Sequence, residues 1–137
     1  MNLEFNRVYV DANEMPAVIE RYAGNKYLYR YDLRQEEPVQ SEENESPMGR
    51  YSFVDVRLVG YPNHNETIKY LIRQLISLED ELKLINDYNE SVLFEPDSST
   101  SEGYQDYITY LEVRRTIKSK VKTDFSNNKA FKNNGTV

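Results

Sequence analysis

The sequence predicts an α+β fold: a small antiparallel sheet from the N-terminal half, packed by about three helices from the C-terminal half. Two observations carry this. Aromatic and apolar residues alternate with polar ones in the strand-like runs before residue 60, whereas beyond Pro62 they recur at i, i+3, i+4. That is the change of period from a half-buried strand to an amphipathic helix. A third observation marks off the elements: polar segments at 35–47 and 95–103 hold too few apolar groups to join either layer.

The strands are read in order. Residues 7–10 form a short apolar and aromatic run. Residues 17–22 lead into Ala23-Gly24-Asn25-Lys26, a turn signal. Beyond it Tyr27, Tyr29, Tyr31 and Leu33 alternate onto one face, so a hairpin around Gly24-Asn25 is the expected assignment. Residues 51–59 form another strong strand, ended by Gly60-Tyr61-Pro62. The intervening segment 35–47 carries Glu36, Glu37, Glu42, Glu43 and Glu45 with Pro38 and Pro47, and reads as a mobile loop or an acidic contact arm.

The helices follow. Ile68, Leu71, Ile72, Leu75 and Ile76 make one apolar stripe, with Asn65 as its cap. Ser77 is placed to cap a second helix whose first turn holds Glu79, Asp80 and Glu81, and whose expected buried side is Leu78, Leu82, Ile85 and Tyr88. A third helix is expected over 104–124. Its inner stripe is Tyr107, Leu111, Arg114 by its stem, Ile117 and Val121. Residues 1–125 are then expected to be a single α+β domain, and 126–137 a polar tail.

Composition narrows the function. The chain has 137 residues, 39% hydrophobic and 29% charged, the proportions of a soluble domain. It has no cysteine, which removes disulfides, thiolate nucleophiles and zinc–cysteine sites. A single histidine, His64, cannot meet the usual zinc spacings and reads as a surface turn residue. The five glycines are scattered, without a phosphate loop, and no nucleophile elbow is present. Consecutive acids such as Glu79, Asp80 and Glu81 spread around a helix end instead of converging as an acid–base pair. The expectation is a protein with no enzymatic activity and no cofactor.

Charge and aromatic content point to contact surfaces. The net charge of -6 divides into about +4 over residues 104–137 and about -10 over residues 1–103. Twelve tyrosines and no tryptophan supply rigid, amphipathic contact area. The candidate contact residues are Glu36, Glu37, Glu42, Glu43 and Glu45 in the acidic segment. On the third helix they are Arg114, Arg115, Lys118 and Lys122. Phe131 in the tail, between Lys129 and Lys132, is a single aromatic anchor.

The segment 61–125 resembles small uncharacterised proteins of phages and prophages from gut bacteria. The likeness lies in Tyr61-Pro62, Leu71-Ile72-Arg73, Ser77-Leu78-Glu79-Asp80-Glu81-Leu82 and Leu84-Ile85-Asn86-Asp87-Tyr88-Asn89. It continues through Tyr107, Tyr110-Leu111 and Lys118 to Phe125, and the run Lys26 to Asp32 is similar to the opening of those proteins. The resemblance is one of helix and core pattern and transfers no functional residue. It implies a virion accessory or assembly protein: a structural or adaptor chain of a capsid, portal or tail, contacting other chains of the particle or itself. It would be made in the bacterial host cytoplasm, since the start of the chain lacks a secretory signal and no apolar run spans a bilayer. Two alternatives stand beside it. One is an acidic host-takeover inhibitor that binds a host protein; the other is a nucleic-acid binder working through the basic third helix.

Overall fold

A computed structural model describes residues 1–37, 48–60 and 63–128 and shows an α+β protein. Among the described residues four strands lie in the N-terminal half: β1 (Val8–Ala12), β2 (Ile19–Ala23), β3 (Lys26–Glu36) and β4 (Gly49–Val59). They form one antiparallel sheet in the order β1-β4-β3-β2. Three α-helices follow, α1 (His64–Leu75), α2 (Leu78–Phe94) and α3 (Glu102–Asn127), with a 3-10 turn at Ser98–Thr100 before the last. The chain resolves into two compact units. Of the described residues, a sheet unit holds 6–37, 48–60, 63–64 and 122–128, and a helical unit holds 1–5 and 65–121.

The sheet unit is organised by the tyrosine alternation of β3. Tyr27, Tyr29 and Tyr31 stand opposite Leu58, Val56 and Val54, and Ile19 stands opposite Tyr29. Directly opposed residues share a face, and all of these except Leu58 are buried. The end of α3 belongs to this unit. Phe125 meets Tyr29 edge-on at 5.2 Å, and the Tyr29 hydroxyl donates to Asp124 Oδ2 at 2.5 Å. The exposed His64 ring lies 5.2 Å from Phe125. On the other face Phe53 is buried beneath the Arg30 guanidinium, which pairs with Glu20 at 2.8 Å. The hairpin turns at Gly24 (φ 47°), a left-handed conformation that glycine adopts without a Cβ clash.

The expected alternation stops at Tyr31. A β-bulge sets Asp32 and Leu33 against the single residue Phe53, so Leu33 leaves the tyrosine face. Asp32 takes φ 54°, uncommon for a residue with a side chain. A polar network holds it there. Arg7 donates to Asp32 Oδ2 (3.0 Å), to the Asp32 carbonyl (2.6 Å) and to Ser52 Oγ (3.0 and 3.1 Å). The buried Ser52 hydroxyl donates in turn to Glu36 at 2.5 Å.

In the helical unit, the α1 stripe of Ile68, Leu71, Ile72 and Ile76 is buried as expected, with Leu75 half-buried. The helix opens at His64, so Asn65 lies inside its first turn and is not the cap. Ser77 does cap α2: its side chain accepts from the Asp80 amide at 3.1 Å. Replacing Ser77 with alanine is expected to cost about 1 kcal/mol, read as a lower urea midpoint with an unchanged slope.

The expected inner stripe of α3 holds at Ile117 and Val121, which are buried, whereas its position 111 and the expected inner face of α2 need correction. Leu78 and Leu82 are exposed, while Leu84 and Ser91 are the buried residues of α2. The reason is a close approach at Gly103. A Cβ there would lie 3.1 Å from both the Asp87 carbonyl and Ser91 Oγ. Backbones that near require the smallest side chains between them, so α2 turns inward the face that carries Ser91 and Leu84 and leaves Leu78 and Leu82 outside. On α3 the exposed residue is Leu111, and Tyr110 takes the interior position. The Tyr110 ring is apolar enough to bury, and its hydroxyl is satisfied by the Glu81 carboxylate. Tyr88, Tyr104 and Tyr107 cluster alongside, with ring centroids 4.6 and 5.4 Å apart.

Candidate functional site

Two features of the helical unit stand out, a cationic groove and a row of exposed apolar side chains. The groove arises from local helix geometry. On α1, Lys69 and Arg73 are four residues apart and therefore share a face, each one place beyond the stripe residues Ile68 and Ile72. On α3, Arg114 and Lys118 repeat the i, i+4 spacing. The four cations line one recess of about 280 Å³ with Ile68 and Ile72 in its wall, and Glu81 of α2 is a carboxylate in the lining.

Glu81 is already engaged. It takes both Arg73 guanidinium nitrogens at 3.2 Å and the Tyr110 hydroxyl. Burial pushes its carboxyl upward, but the hydrogen bonds from Arg73 and Tyr110 and the charges of Arg73 and Arg114 outweigh this. The net effect holds it below its ordinary value, and it stays charged. Burial and the same hydrogen bond raise Tyr110 to about 12. Arg73 is thus neutralised within the wall, while Lys69 and Lys118 have no ion pair among the described residues. The buried Nε of Arg114 has no hydrogen-bond partner among them.

Such an arrangement is unfavourable for an empty protein. Like charges at i, i+4 cost a helix about 0.2–0.5 kcal/mol per pair, and an unmet buried donor costs about 1–3 kcal/mol. Two like-charged pairs converging on one recess are suited to receiving an anion.

The second feature is the outer face of α2. Leu78, Leu82, Ile85, Asn89 and Val92 follow one another at intervals of four and three residues, the spacing of a coiled-coil seam. Leu78, Leu82 and Val92 are each about half exposed, Ile85 is half-buried, and Leu93 and Phe94 beside the seam are exposed by 73% and 78%. On the same helix, Lys83 pairs with Asp87 at 3.0 Å on the polar side.

The residues expected to make contacts separate. Arg114 and Lys118 come together in the groove, whereas Arg115 is exposed outside its lining and Lys122 is exposed on the part of α3 that belongs to the sheet unit. Glu36 is half-buried and accepts from Ser52, so it serves the bulge network; Glu37 is exposed just after β3. Glu42, Glu43, Glu45 and Phe131 lie outside the described residues. Sequence reading missed Lys69 and Arg73. The signal was there, a cation after each of two stripe residues, but it completes a site only beside α3.

Among the described residues no group of three or more His, Asp or Glu side chains is arranged to hold a metal ion. No helix among them is long and apolar enough to cross a membrane. No family model, curated protein or solved structure matches this chain.

Proposed function

We propose that this chain is a non-enzymatic contact protein, a structural or adaptor component of a phage particle that works through protein–protein contact. The phage setting comes from the resemblance of residues 61–125 to phage and prophage proteins. The observation that carries the contact reading is the outward apolar row of α2. A contiguous row of leucine, valine and phenylalanine on a small domain marks an interaction site more often than an ordinary surface.

The partner at this row is a second copy of the chain. Heptad spacing matches one helix to a copy of itself, and in a parallel pair Asn89 meets Asn89. A lone asparagine in such a seam specifies register and a two-stranded state at some cost in stability. The flanking positions agree, since Tyr88 and Leu93 of opposite copies would meet as an apolar pair and no like charges are forced together.

Light scattering across a concentration series tests this. The parent chain is expected to pass from monomer to dimer, and a Leu82→Glu/Val92→Glu variant to remain monomeric. Because both side chains are exposed, the variant is expected to keep the parent's unfolding midpoint at concentrations where both are monomeric. In particles of a phage encoding the chain, quantitative mass spectrometry is expected to find it at a fixed copy number, falling at least severalfold in the variant. A parent that stays monomeric and is missing from particles would end this reading.

A further inference from the structure

We propose that the groove formed by Lys69, Arg73, Arg114 and Lys118 is a binding site for an acidic peptide segment of a partner protein. In this site a carboxylate is held by Arg114 and the two lysines, and a neighbouring apolar side chain rests on Ile68 and Ile72. The inference stands on the groove alone and is independent of the α2 row, so either can fail without the other.

The chemistry of the lining selects the ligand. Charge complementarity comes first: of five ionisable residues around the recess, four are cationic, and the one carboxylate is spent on Arg73 and Tyr110. Arg114 contributes a guanidinium to the lining, the group that binds planar carboxylates best. The lysines supply mobile charge at the rim. The isoleucines explain why the anion must carry an apolar neighbour, since a bare inorganic ion would leave them uncovered.

Size and overall charge decide between a peptide and a nucleic acid. The recess of about 280 Å³ takes one or two side chains and does not extend as a track for a phosphate backbone. A nucleic acid would bring many charges toward a protein of net charge -6, and that repulsion opposes a polyanion more than a short segment with one or two carboxylates. Arg115 and Lys122, which would extend a phosphate track along α3, lie outside the groove lining.

The test uses the full chain and a fluorescein-labelled peptide of alternating glutamate and leucine, titrated by anisotropy, with a labelled DNA duplex as the second probe. The peptide is expected to saturate and the duplex to bind at least roughly tenfold more weakly at physiological salt. Lys69→Glu/Lys118→Glu is expected to weaken the peptide roughly tenfold or more without lowering the unfolding midpoint, because both side chains are exposed and each change turns a like-charged i, i+4 pair into an opposite one. Arg114→Lys keeps the charge and removes the planar guanidinium, and is expected to weaken binding severalfold. Lys122→Glu, away from the groove, is expected to change nothing. The proposal is overturned if the peptide fails to saturate or binds the double variant as tightly as the parent. It is equally overturned if the duplex binds as tightly as the peptide and loses affinity in the same variant, which would make the groove a nucleic-acid site.

Discussion

Raising the pH from about 10 to 12 is expected to unfold this protein, because three buried tyrosines must ionise as it opens. Tyr29 is fully buried and Tyr31 and Tyr110 nearly so. Burial raises all three, reinforced at Tyr29 by the hydrogen bond to Asp124, at Tyr31 by the charges of Asp32 and Asp124, and at Tyr110 by the hydrogen bond to Glu81. Tyr31 and Tyr110 reach about 12, and Tyr29 lies higher still. The sign follows from proton binding. Below the ordinary tyrosine value of about 10 both states keep their protons and the stabilisation is complete. Above it the unfolded chain loses protons that the folded one retains, so stability falls until the folded groups ionise in turn.

Each such tyrosine removes roughly 1.4 kcal/mol per pH unit over this window. Three together remove up to about 8 kcal/mol between pH 10 and 12, enough to exhaust a stability in the lower half of the typical range of about 5–15 kcal/mol. Urea midpoints measured across the range, with phenolate absorbance followed in parallel, are expected to show a steep loss and a late, cooperative ionisation. Tyr29→Phe is expected to flatten the slope by one proton. Midpoints that hold level up to pH 12 would contradict the burial of these hydroxyls.

Replacing Arg7 with alanine is expected to cost about 1.5–3 kcal/mol, the range for hydrogen bonds to charged groups, in a part-buried network. The low end applies because Arg34 still reaches Asp32 at 2.5 Å. Arg7 donates four hydrogen bonds to Asp32 and Ser52, and its loss removes a donor from the Asp32 carbonyl and weakens the hold on a residue with φ 54°. Asp32→Gly separates the two contributions: glycine relieves the backbone strain but leaves Arg7 without its carboxylate. It is expected to destabilise less than Arg7→Ala. A chemical-denaturation midpoint for Arg7→Ala within experimental error of the parent would show that the bulge is held by its backbone alone.

Local physical chemistry made several elements legible. The β2–β3 hairpin follows from Gly24-Asn25 between two β-favouring runs, and the α1 stripe from the spacing of Ile68, Leu71, Ile72 and Ile76. The start of α2 follows from the hydroxyl of Ser77 and the three acids behind it. In each case the determining interactions join residues within a few positions of one another. Arg114 and Lys118 were legible as a cationic pair for the same reason.

Tertiary structure decided the rest. Leu78 and Leu82 stay outside because α2 presents its Leu84–Ser91 face, where the approach at Gly103 admits only the small side chain of Ser91. Leu111 yields to Tyr110 because Glu81, 29 positions away, accepts the phenol's proton in a hydrogen bond. The end of the β3 alternation was equally hidden, since Asp32 holds its left-handed backbone through Arg7, 25 positions earlier. The groove itself joins α1 to α3. Lys69 and Arg73 on one helix become a binding site only when Arg114 and Lys118 on another are set beside them, and hydrophobic periodicity records which residues go inside but not which charges are left facing each other.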